Sequence, residues 1–317
     1  MLTMRRFTLA TSAAALVFML AACSKEESKP AEPTPAPAAE PAPAPAAEPA
    51  PAPAPEPAPA AEPAAAPAPA EPAPAPEEAA APASGTLKIG TEGAYPPFNN
   101  LTADGQLVGF DIDIANALCE EMKVTCEFVT QDWDGIIPAL QAGKFDAIIA
   151  SMSITPERAE KVDFTGKYYN TPPAIAAPKD TTITGVTKED LAGKTIGVQG
   201  STTHFNYSTA TYTDSTIKSY PTAQEYQLDL ANGRLDAVND DISVLEAWLS
   251  SPEGACCKLI GPIKSVDAIH GPGAGIAVRK GDTELRDKFN AAIQAIRANG
   301  KYKEINDKYF TFDVYGG

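Results

Sequence analysis

Arg158 is well placed in this sequence to bind a carboxylate. It lies just inside a predicted helix start, because Thr155 and Pro156 are residue types preferred at the N-cap and first position of a helix. A guanidinium there can form a bidentate, charge-assisted pair with a carboxylate. Ser151 and Ser153 precede it at the predicted end of a strand, and their spacing of two predicts that they face the same way. The alternatives are a solvated arginine and ordinary strand-end serines.

A second anion-binding element is predicted at residues 200–203, where the sequence GSTT joins a predicted strand to a helix. Backbone N–H groups at a helix start bind anions, and the helix dipole strengthens the attraction. Ser201, Thr202 and Thr203 are therefore candidate ligand-binding residues. The alternative is an ordinary turn and helix cap, since one glycine-containing turn is a weak signal.

Strands and helices alternate from Thr86 onward, and this alternation predicts an α/β protein with mostly parallel sheets and helices on both faces. The predicted strands are TLKIGTEG, VTCEFVT, FDAIIASMSI, KTIGVQG and RLDAVND. The predicted helices are DIDIANALCEEM, WDGIIPALQAG, AQEYQLDLANG, ISVLEAWL and one opening at STTHFN. Ligands bind such sheets beyond the carboxyl ends of their strands, where the candidate residues lie.

Two ten-residue segments repeat one pattern, LQAGKFDAII at 140–149 and LANGRLDAVN at 230–239. Each is typical of a helix end, a glycine that ends it and the start of a strand. Their equivalent places in two similar α/β units predict two lobes with a cleft between them. Chance similarity of two ordinary units is the alternative.

Six motifs in order resemble the periplasmic amino-acid-binding proteins of ABC importers, solute-binding protein family 3. They are GTEGAYPPF, GFDIDIANALCEEM, DWDGIIPALQAGKFDAIIASMSITPER, IGVQGSTTHF, GRLDAVNDD and KYFTFDVYGG. The resemblance is greatest to the subgroup that binds lysine, arginine and ornithine or histidine. It implies a two-lobe type II periplasmic binding protein fold with a hinge and an inter-lobe ligand cleft. Residues 85–170 plus 274–317 would form lobe 1 and residues 171–273 lobe 2, with the hinge at those crossovers.

The resemblance assigns the parts of a basic L-amino acid to residues of this sequence. The ligand carboxylate would meet Arg158 and the GSTT turn, and the ammonium would pair with Asp241. Ser151 and Ser153 could supply a backbone carbonyl, a backbone N–H and a hydroxyl. Tyr95 and Trp133 match positions whose rings sandwich the ligand side chain, although either could be a core aromatic residue. Glu92 stands where the subgroup carries Asp, and its extra methylene leaves the preferred ligand length open.

Some of these residues have other interpretations. Asp241 could cap the following helix, and Asp240 is a rival for either role. Asp111 could add a second negative charge to the site or cap the helix beside it. His204 and His270 lack the spacing of metal ligands and predict no metal site.

The resemblance implies that the protein delivers a basic L-amino acid to an ABC permease. It is expected to be a monomer and to need no cofactor. The formal net charge of −16 and the lack of a basic patch argue against a nucleic-acid partner. The alternatives are a receptor for a polar amino acid such as glutamine, a dehydratase-like enzyme on the same fold, and an adhesion lipoprotein. An enzyme has little support, since G-x-S-x-G and HExxH are absent from the sequence.

The N-terminal region predicts export. In residues 1–23, Arg5 and Arg6 precede the apolar run FTLATSAAALVFML, and LAAC resembles a lipobox that ends at Cys23. The expected product is a lipoprotein, tethered outside the cytoplasm to a bacterial membrane. The alternative is an ordinary signal peptide with a chance cysteine. Residues 24–84, rich in Pro, Ala and Glu, are predicted to be a disordered linker.

Four cysteines remain. Cys119 and Cys126 lie seven residues apart, from a helix end to the next strand, which predicts a local disulfide in an oxidising compartment. Cys256 and Cys257 are adjacent, and whether they are bridged or reduced stays open.

Overall fold

A computed structural model describes residues 85–316 of the 317-residue chain. The predictions of a signal peptide, a lipidated Cys23 and a linker at 24–84 fall outside the described residues and stay predictions. Within the described part, none of the helices has the length and apolar character needed to cross a bilayer.

The described chain contains two five-stranded sheets and a small three-stranded sheet. The strands are β1 Thr86–Thr91, β2 Ala94–Tyr95, β3 Asn99–Leu101, β4 Leu107–Val108, β5 Thr125–Thr130, β6 Ala147–Ile148, β7 Val162–Tyr169, β8 Pro173–Pro178, β9 Thr195–Gln199, β10 Thr216–Tyr220, β11 Ala237–Asp241, β12 Cys257–Pro262 and β13 Ala274–Arg279. The helices are α1 Phe110–Met122, α2 Ile136–Gln141, α3 Pro156–Ala159, α4 Thr203–Thr211, α5 Ala223–Ala231, α6 Ile242–Leu249, α7 Asp267–His270, α8 Thr283–Ala298 and α9 Lys301–Tyr309.

Each large sheet is half parallel and half antiparallel. The strand orders are β5–β1–β6–β13–β7 and β10–β9–β11–β8–β12. The first three strands of each order pair in parallel, and the remaining pairings are antiparallel. The prediction of mostly parallel sheets is therefore wrong. The antiparallel pairings arise because β8 and β13 each enter their sheet directly after the chain crosses between the sheets. An antiparallel strand needs no crossover helix, so the strand–helix alternation does not reveal it.

The chain crosses from the first large sheet to the second between Tyr169 and Pro173, and it returns between Pro262 and Ala274. We call lobe 1 the first sheet with the small sheet, α1 to α3, α8 and α9. Lobe 2 is the second sheet with α4 to α7. The predicted domain boundaries and hinge positions lie at these crossings and stay a prediction.

Helices cover the sheets through their apolar faces, as α8 shows. Asp282 caps this helix, because its carboxylate accepts a hydrogen bond from the N–H of Leu285. Leu285, Phe289, Ile293 and Ile296 follow at spacings of three and four and are all buried. Burying side chains of this size contributes roughly 1.5–3 kcal/mol each. The core of lobe 1 therefore depends on this face.

The repeated segments mark the same turn in both lobes. Each begins in a helix, α2 or α5, and each enters a central strand, β6 or β11. Gly143 and Gly233 follow these helices with φ of 73° and 71°, a backbone region that favours glycine. The predicted succession of helix, glycine and strand is confirmed.

The aspartates of the repeats have one shared structural role. The Asp146 carboxylate accepts a hydrogen bond from Lys88 N at 3.0 Å, and Asp146 N donates to Lys88 O at 2.8 Å. Asp236 makes the same pair of bonds with Thr195, at 2.8 and 2.9 Å. Each aspartate therefore joins the strand it precedes, β6 or β11, to the neighbouring parallel strand, β1 or β9.

β6 is much shorter than the predicted strand FDAIIASMSI. It ends at Ile148, and Ser151 follows with a φ of 55°, in the left-handed region. The strand prediction is therefore wrong beyond Ile148, and the spacing of two no longer determines the directions of the Ser151 and Ser153 side chains. Ser153 then forms an isolated bridge with Ala274.

Both remaining cysteine pairs are bonded in the structure. Cys119 and Cys126 link the end of α1 to β5. Cys256 and Cys257 form a bond between neighbours at the start of β12.

Candidate ligand-binding cleft

Two small cavities, of about 30 and 40 Å³, lie between the lobes at the carboxyl ends of the central strands. A cavity needs roughly 10–15 Å³ by this measure to hold one water molecule, so each of these holds only about two or three waters, and an amino acid enters only if the lobes separate or side chains move. The residues that line both are Tyr95, Ser151, Ser153, Thr203 and His204.

Arg158 reaches across the cleft from α3. Thr155 caps this helix by accepting a hydrogen bond from Arg158 N, and Pro156 is its first residue, as predicted. The guanidinium donates to Ser153 O at 3.0 Å and to Ser201 O of lobe 2 at 3.1 Å. Burial lowers the pKa of Arg158 to about 10, so it remains charged at neutral pH. A ligand carboxylate would be a stronger partner than these carbonyls.

Asp111 supports Ser151 from behind the cleft. Its carboxylate accepts hydrogen bonds from Asn99 Nδ2, Ser151 Oγ and Tyr168 OH at 2.7–2.9 Å. It lies in the first turn of α1 but is not its N-cap, which is Gly109. Asp111 is fully buried and lines neither cavity, and burial raises its pKa to about 6. It therefore stabilises the strained Ser151 turn, where neither sequence interpretation had placed it.

The GSTT turn contributes to the cleft unevenly. Thr202 caps α4, since its Oγ1 accepts a hydrogen bond from Phe205 N at 3.1 Å, and Thr203 lines both cavities. Ser201 has an exposed side chain and a φ of 56°, and it lines neither cavity. Its carbonyl accepts hydrogen bonds from Trp133 and Arg158 of lobe 1, and its expected role as a backbone N–H donor to an anion stays a prediction.

Asp241 caps a helix, as one of its two interpretations proposed, and its pairing with a ligand ammonium stays a prediction. One carboxylate oxygen accepts a hydrogen bond from Ser243 N at 2.8 Å and caps α6. The other accepts from the hydroxyl of Thr171, at the crossing between the lobes. Asp241 also lines the second cavity, and burial raises its pKa to about 7. A ligand ammonium in this cavity would find a carboxylate already held in place.

Glu92 lines the other cavity and binds Gln199 across the cleft. Gln199 Nε2 donates to Glu92 Oε1 at 2.6 Å and to Pro221 O at 2.9 Å. Burial, together with Asp240 and Asp132, raises the pKa of Glu92 to about 7, although the bond from Gln199 opposes the shift. Sequence reasoning missed Gln199, because no local signal indicates a partner 107 residues away.

Trp133 and Tyr95 flank the same space. Trp133 is half-buried, and its Nε1 donates to Ser201 O at 3.2 Å, while the Arg158 guanidinium lies 5.1 Å from its ring centre. Tyr95 is buried and stacks on Phe98, with ring centres 5.9 Å apart. The two predicted aromatic residues are therefore both in the wall of the cleft.

Asp240 is a buried carboxylate directly behind the cleft. It accepts hydrogen bonds from Tyr95 OH at 2.5 Å, from Asp241 N at 2.7 Å and from Tyr226 OH. His204 Nε2 lies 3.3 Å from the same carboxylate. The sequence offered Asp240 only as a rival of its neighbour, and it gave no sign of Tyr226.

The two histidines lie together in lobe 2, with ring centres 6.4 Å apart. His270 Nδ1 accepts a hydrogen bond from Val266 N, so the neutral ring carries its proton on Nε2 and cannot offer that nitrogen to a metal. Burial lowers the pKa of His270 to about 4 and also lowers that of His204. In residues 85–316, no three His, Cys, Asp or Glu side chains are grouped to hold a metal ion.

The sequence of this chain matches a known family of binding proteins. Residues 87–312 match the model of the family described as bacterial extracellular solute-binding proteins, family 3, and the chain belongs to that family. The L-arginine-binding protein of Pseudomonas aeruginosa is 51% identical over 233 residues, which cover 73% of this chain and 90% of that protein. The sequence resemblance to this family is thereby confirmed.

Solved structures confirm the predicted two-lobe α/β fold. An ancestral arginine-binding protein bound to glutamine is 39% identical with a TM-score of 0.67, covering 73% of this chain and 100% of that one. A Salmonella typhimurium periplasmic binding protein described as highly arginine-specific is 36% identical with a TM-score of 0.66, covering 72% and 100%. These whole solved proteins correspond to the C-terminal three quarters of this chain.

Proposed function

We propose that this protein is the extracytoplasmic substrate-binding component of an amino-acid ABC importer and that it binds a basic L-amino acid, with arginine as the first candidate. Membership of the solute-binding family supports a binding role. The similarity to proteins named for arginine supports the ligand class.

The observation that carries the proposal is the charge of the cleft. Glu92 and Asp241 line its two cavities, whereas Arg158 is the only Lys or Arg of residues 85–316 in either wall. The α-ammonium and α-carboxylate of an amino acid would pair with Asp241 and Arg158. Glu92 then remains without a cation, and a basic side chain supplies one.

Each part of the ligand has a partner in this arrangement. The carboxylate replaces Ser201 O and Ser153 O on the Arg158 guanidinium and lies near the start of α4. The basic side chain extends toward Glu92 and lies beside Tyr95 and Trp133, where cation–π attraction contributes roughly 0.5–2 kcal/mol. Ligand contacts with both lobes would shift the population toward the closed state.

The wider biology is part of the proposal. The LAAC pattern at Cys23 supports a lipid anchor, and the Pro/Ala/Glu-rich linker would hold the binding lobes away from the membrane. A closed, liganded monomer would deliver the amino acid to permease subunits. The enzyme alternative has less support, because the chain belongs to a family of solute-binding proteins and the walls hold partners for each part of an amino acid.

Glutamine is the second candidate ligand. One similar ancestral protein was solved with glutamine bound. The pKa of Glu92, raised to about 7 by burial, would also allow a protonated Glu92 to donate to an amide oxygen.

The test is calorimetric titration of residues 85–317, refolded to remove bound ligand, with L-arginine, L-lysine, L-ornithine, L-histidine and L-glutamine. We expect tight one-to-one binding of a cationic amino acid and weaker binding of glutamine. A preference for glutamine would keep the receptor role and reject the basic ligand. No binding of any of the five would reject the proposed function.

A further inference from the structure

We propose that Asp240 is a positioning residue that acts through Tyr95: their hydrogen bond joins the closed lobes and orients the aromatic ring against the ligand side chain. The ligand part of this inference rests on the proposed function. The joining of the lobes does not.

The acceptor is organised before the lobes meet. Asp240 is 2% exposed, and its other donors, Tyr226 OH and Asp241 N, belong to lobe 2. His204 Nε2, also of lobe 2, lies 3.3 Å from the same carboxylate. These groups hold the carboxylate in one orientation. The lobes can therefore close onto a prepared acceptor, which reduces the entropy lost on forming the bond.

The donor comes from lobe 1. Tyr95 lies 145 residues before Asp240, and its hydroxyl donates at 2.5 Å, the short length of a charge-assisted O–H···O⁻ bond. Burial and the nearby carboxylates hold the pKa of Tyr95 well above its usual range, so the hydroxyl keeps its proton. Phe98 stacks on the ring, which also lines both cavities. The hydroxyl edge of the ring is held by Asp240 and one face by Phe98, so the remaining surface of the ring is turned to the cleft.

This contact differs from the other hydrogen bonds across the cleft. Arg158 and Trp133 donate to Ser201 O, and Gln199 donates to Glu92. An entering ligand competes for Arg158 and Glu92, because it needs both charges. Only the ring of Tyr95 is expected to contact the ligand, whereas its hydroxyl and Asp240 are not. Their hydrogen bond therefore persists when the ligand is bound.

Tyr95→Phe tests the inference, because it removes the donor and keeps the ring. Asp240→Asn and the double variant complete a cycle that measures the coupling between the two residues. Tyr220→Phe is the matched control: Tyr220 is as buried as Tyr95 and donates to Asp229 at 2.6 Å, but both residues lie in lobe 2.

Two measurements on residues 85–317 are needed. Small-angle X-ray scattering without ligand reports how closed the lobes are. Stopped-flow binding of L-arginine separates the association and dissociation rates. Thermal unfolding confirms that each variant is folded.

We expect Tyr95→Phe to increase the ligand-free radius of gyration and to raise the arginine dissociation rate about tenfold, the lower range for losing a charge-assisted bond. The association rate should change little. Asp240→Asn should act in the same direction, the double variant should add little, and Tyr220→Phe should match the wild type.

Unchanged scattering and unchanged dissociation in Tyr95→Phe would overturn the inference, and so would additive effects of the two substitutions. If arginine does not bind the wild type, the proposed function fails. The scattering comparison then still decides whether the bond joins the lobes.

Discussion

Arg158 shows how single residues define this cleft. Its guanidinium is fixed by a capped one-turn helix and donates to two backbone carbonyls, one in each lobe. Carbonyls carry only partial charge, so a carboxylate is the better acceptor for this pair of donors. In the proposed function, Arg158 would therefore link recognition of the ligand to contact between the lobes.

Replacing Arg158 with Ala is expected to weaken arginine binding at least about a hundredfold. Two charge-assisted hydrogen bonds of roughly 1.5–3 kcal/mol each would be lost. Calorimetric titration measures the change. Arg234→Ala is the control, because Arg234 is half-exposed and pairs with Asp229 within lobe 2. A loss of less than threefold in Arg158→Ala would contradict the assigned role.

The cleft carboxylates predict that arginine binding depends on pH. Without ligand, burial raises the pKa of Glu92 and Asp241 to about 7. A bound cation favours their charged forms and lowers both pKa values. Binding therefore releases protons near pH 7, and the affinity should fall as the pH is lowered from 8 toward 5.5.

Titration at pH 7 in buffers with different ionisation enthalpies measures this proton release. Glu92→Gln should reduce the number of protons released, since one of the two titrating groups is removed. Proton uptake, or an affinity that rises toward acid pH, would show that the cation does not bind at these carboxylates.

At the scale of elements, the two repeated segments have equivalent structural roles. Each aspartate closes a two-bond link to the parallel strand beside the one it precedes, β1 or β9. Asp146→Ala and Asp236→Ala should each lower the free energy of unfolding by about 1 kcal/mol, the usual value of one such bond. The loss should be larger for Asp146, because Arg279 Nη2 also contacts it at 3.2 Å.

Denaturant unfolding of the two variants measures these losses, with the exposed Glu120→Ala as a control. Equal stability of the wild type and both aspartate variants would mean that the repeat reflects chance.

Local patterns predicted most elements, because helix periodicity, caps and glycine stops act over a few residues. α6 matches the predicted ISVLEAWL, and α3 begins at the predicted Thr155–Pro156 cap. The failures have non-local causes. The antiparallel strands depend on where the chain crosses between sheets, and β6 is cut short by the Ser151 turn, which Asp111 and Tyr168 hold from other elements.

At the scale of the whole molecule, the packing of the two lobes determines which residues form hydrogen bonds across the cleft. The sequence predicted few of these pairs. The Glu92–Gln199 and Tyr95–Asp240 bonds join residues 107 and 145 positions apart. A spacing rule identifies the residues that each strand end presents, but only the packing of two lobes shows which of them meet. The family resemblance named most residues of the cleft for the same reason, since a family fold already contains that packing.

The central claim concerns the charge balance of the assembled cleft: Glu92 has no cationic partner until a basic side chain enters. L-Citrulline is the matched ligand, because it replaces the guanidinium of arginine with a neutral urea group of nearly the same shape. Calorimetric titration of the wild type and Glu92→Gln with both ligands tests the claim most directly.

We expect the wild type to bind arginine at least about tenfold more tightly than citrulline, the difference made by one charge-assisted contact. Glu92→Gln should reduce that preference to within about threefold. Equal binding of the two ligands by the wild type, or a preference for arginine that persists in Glu92→Gln, would contradict the account.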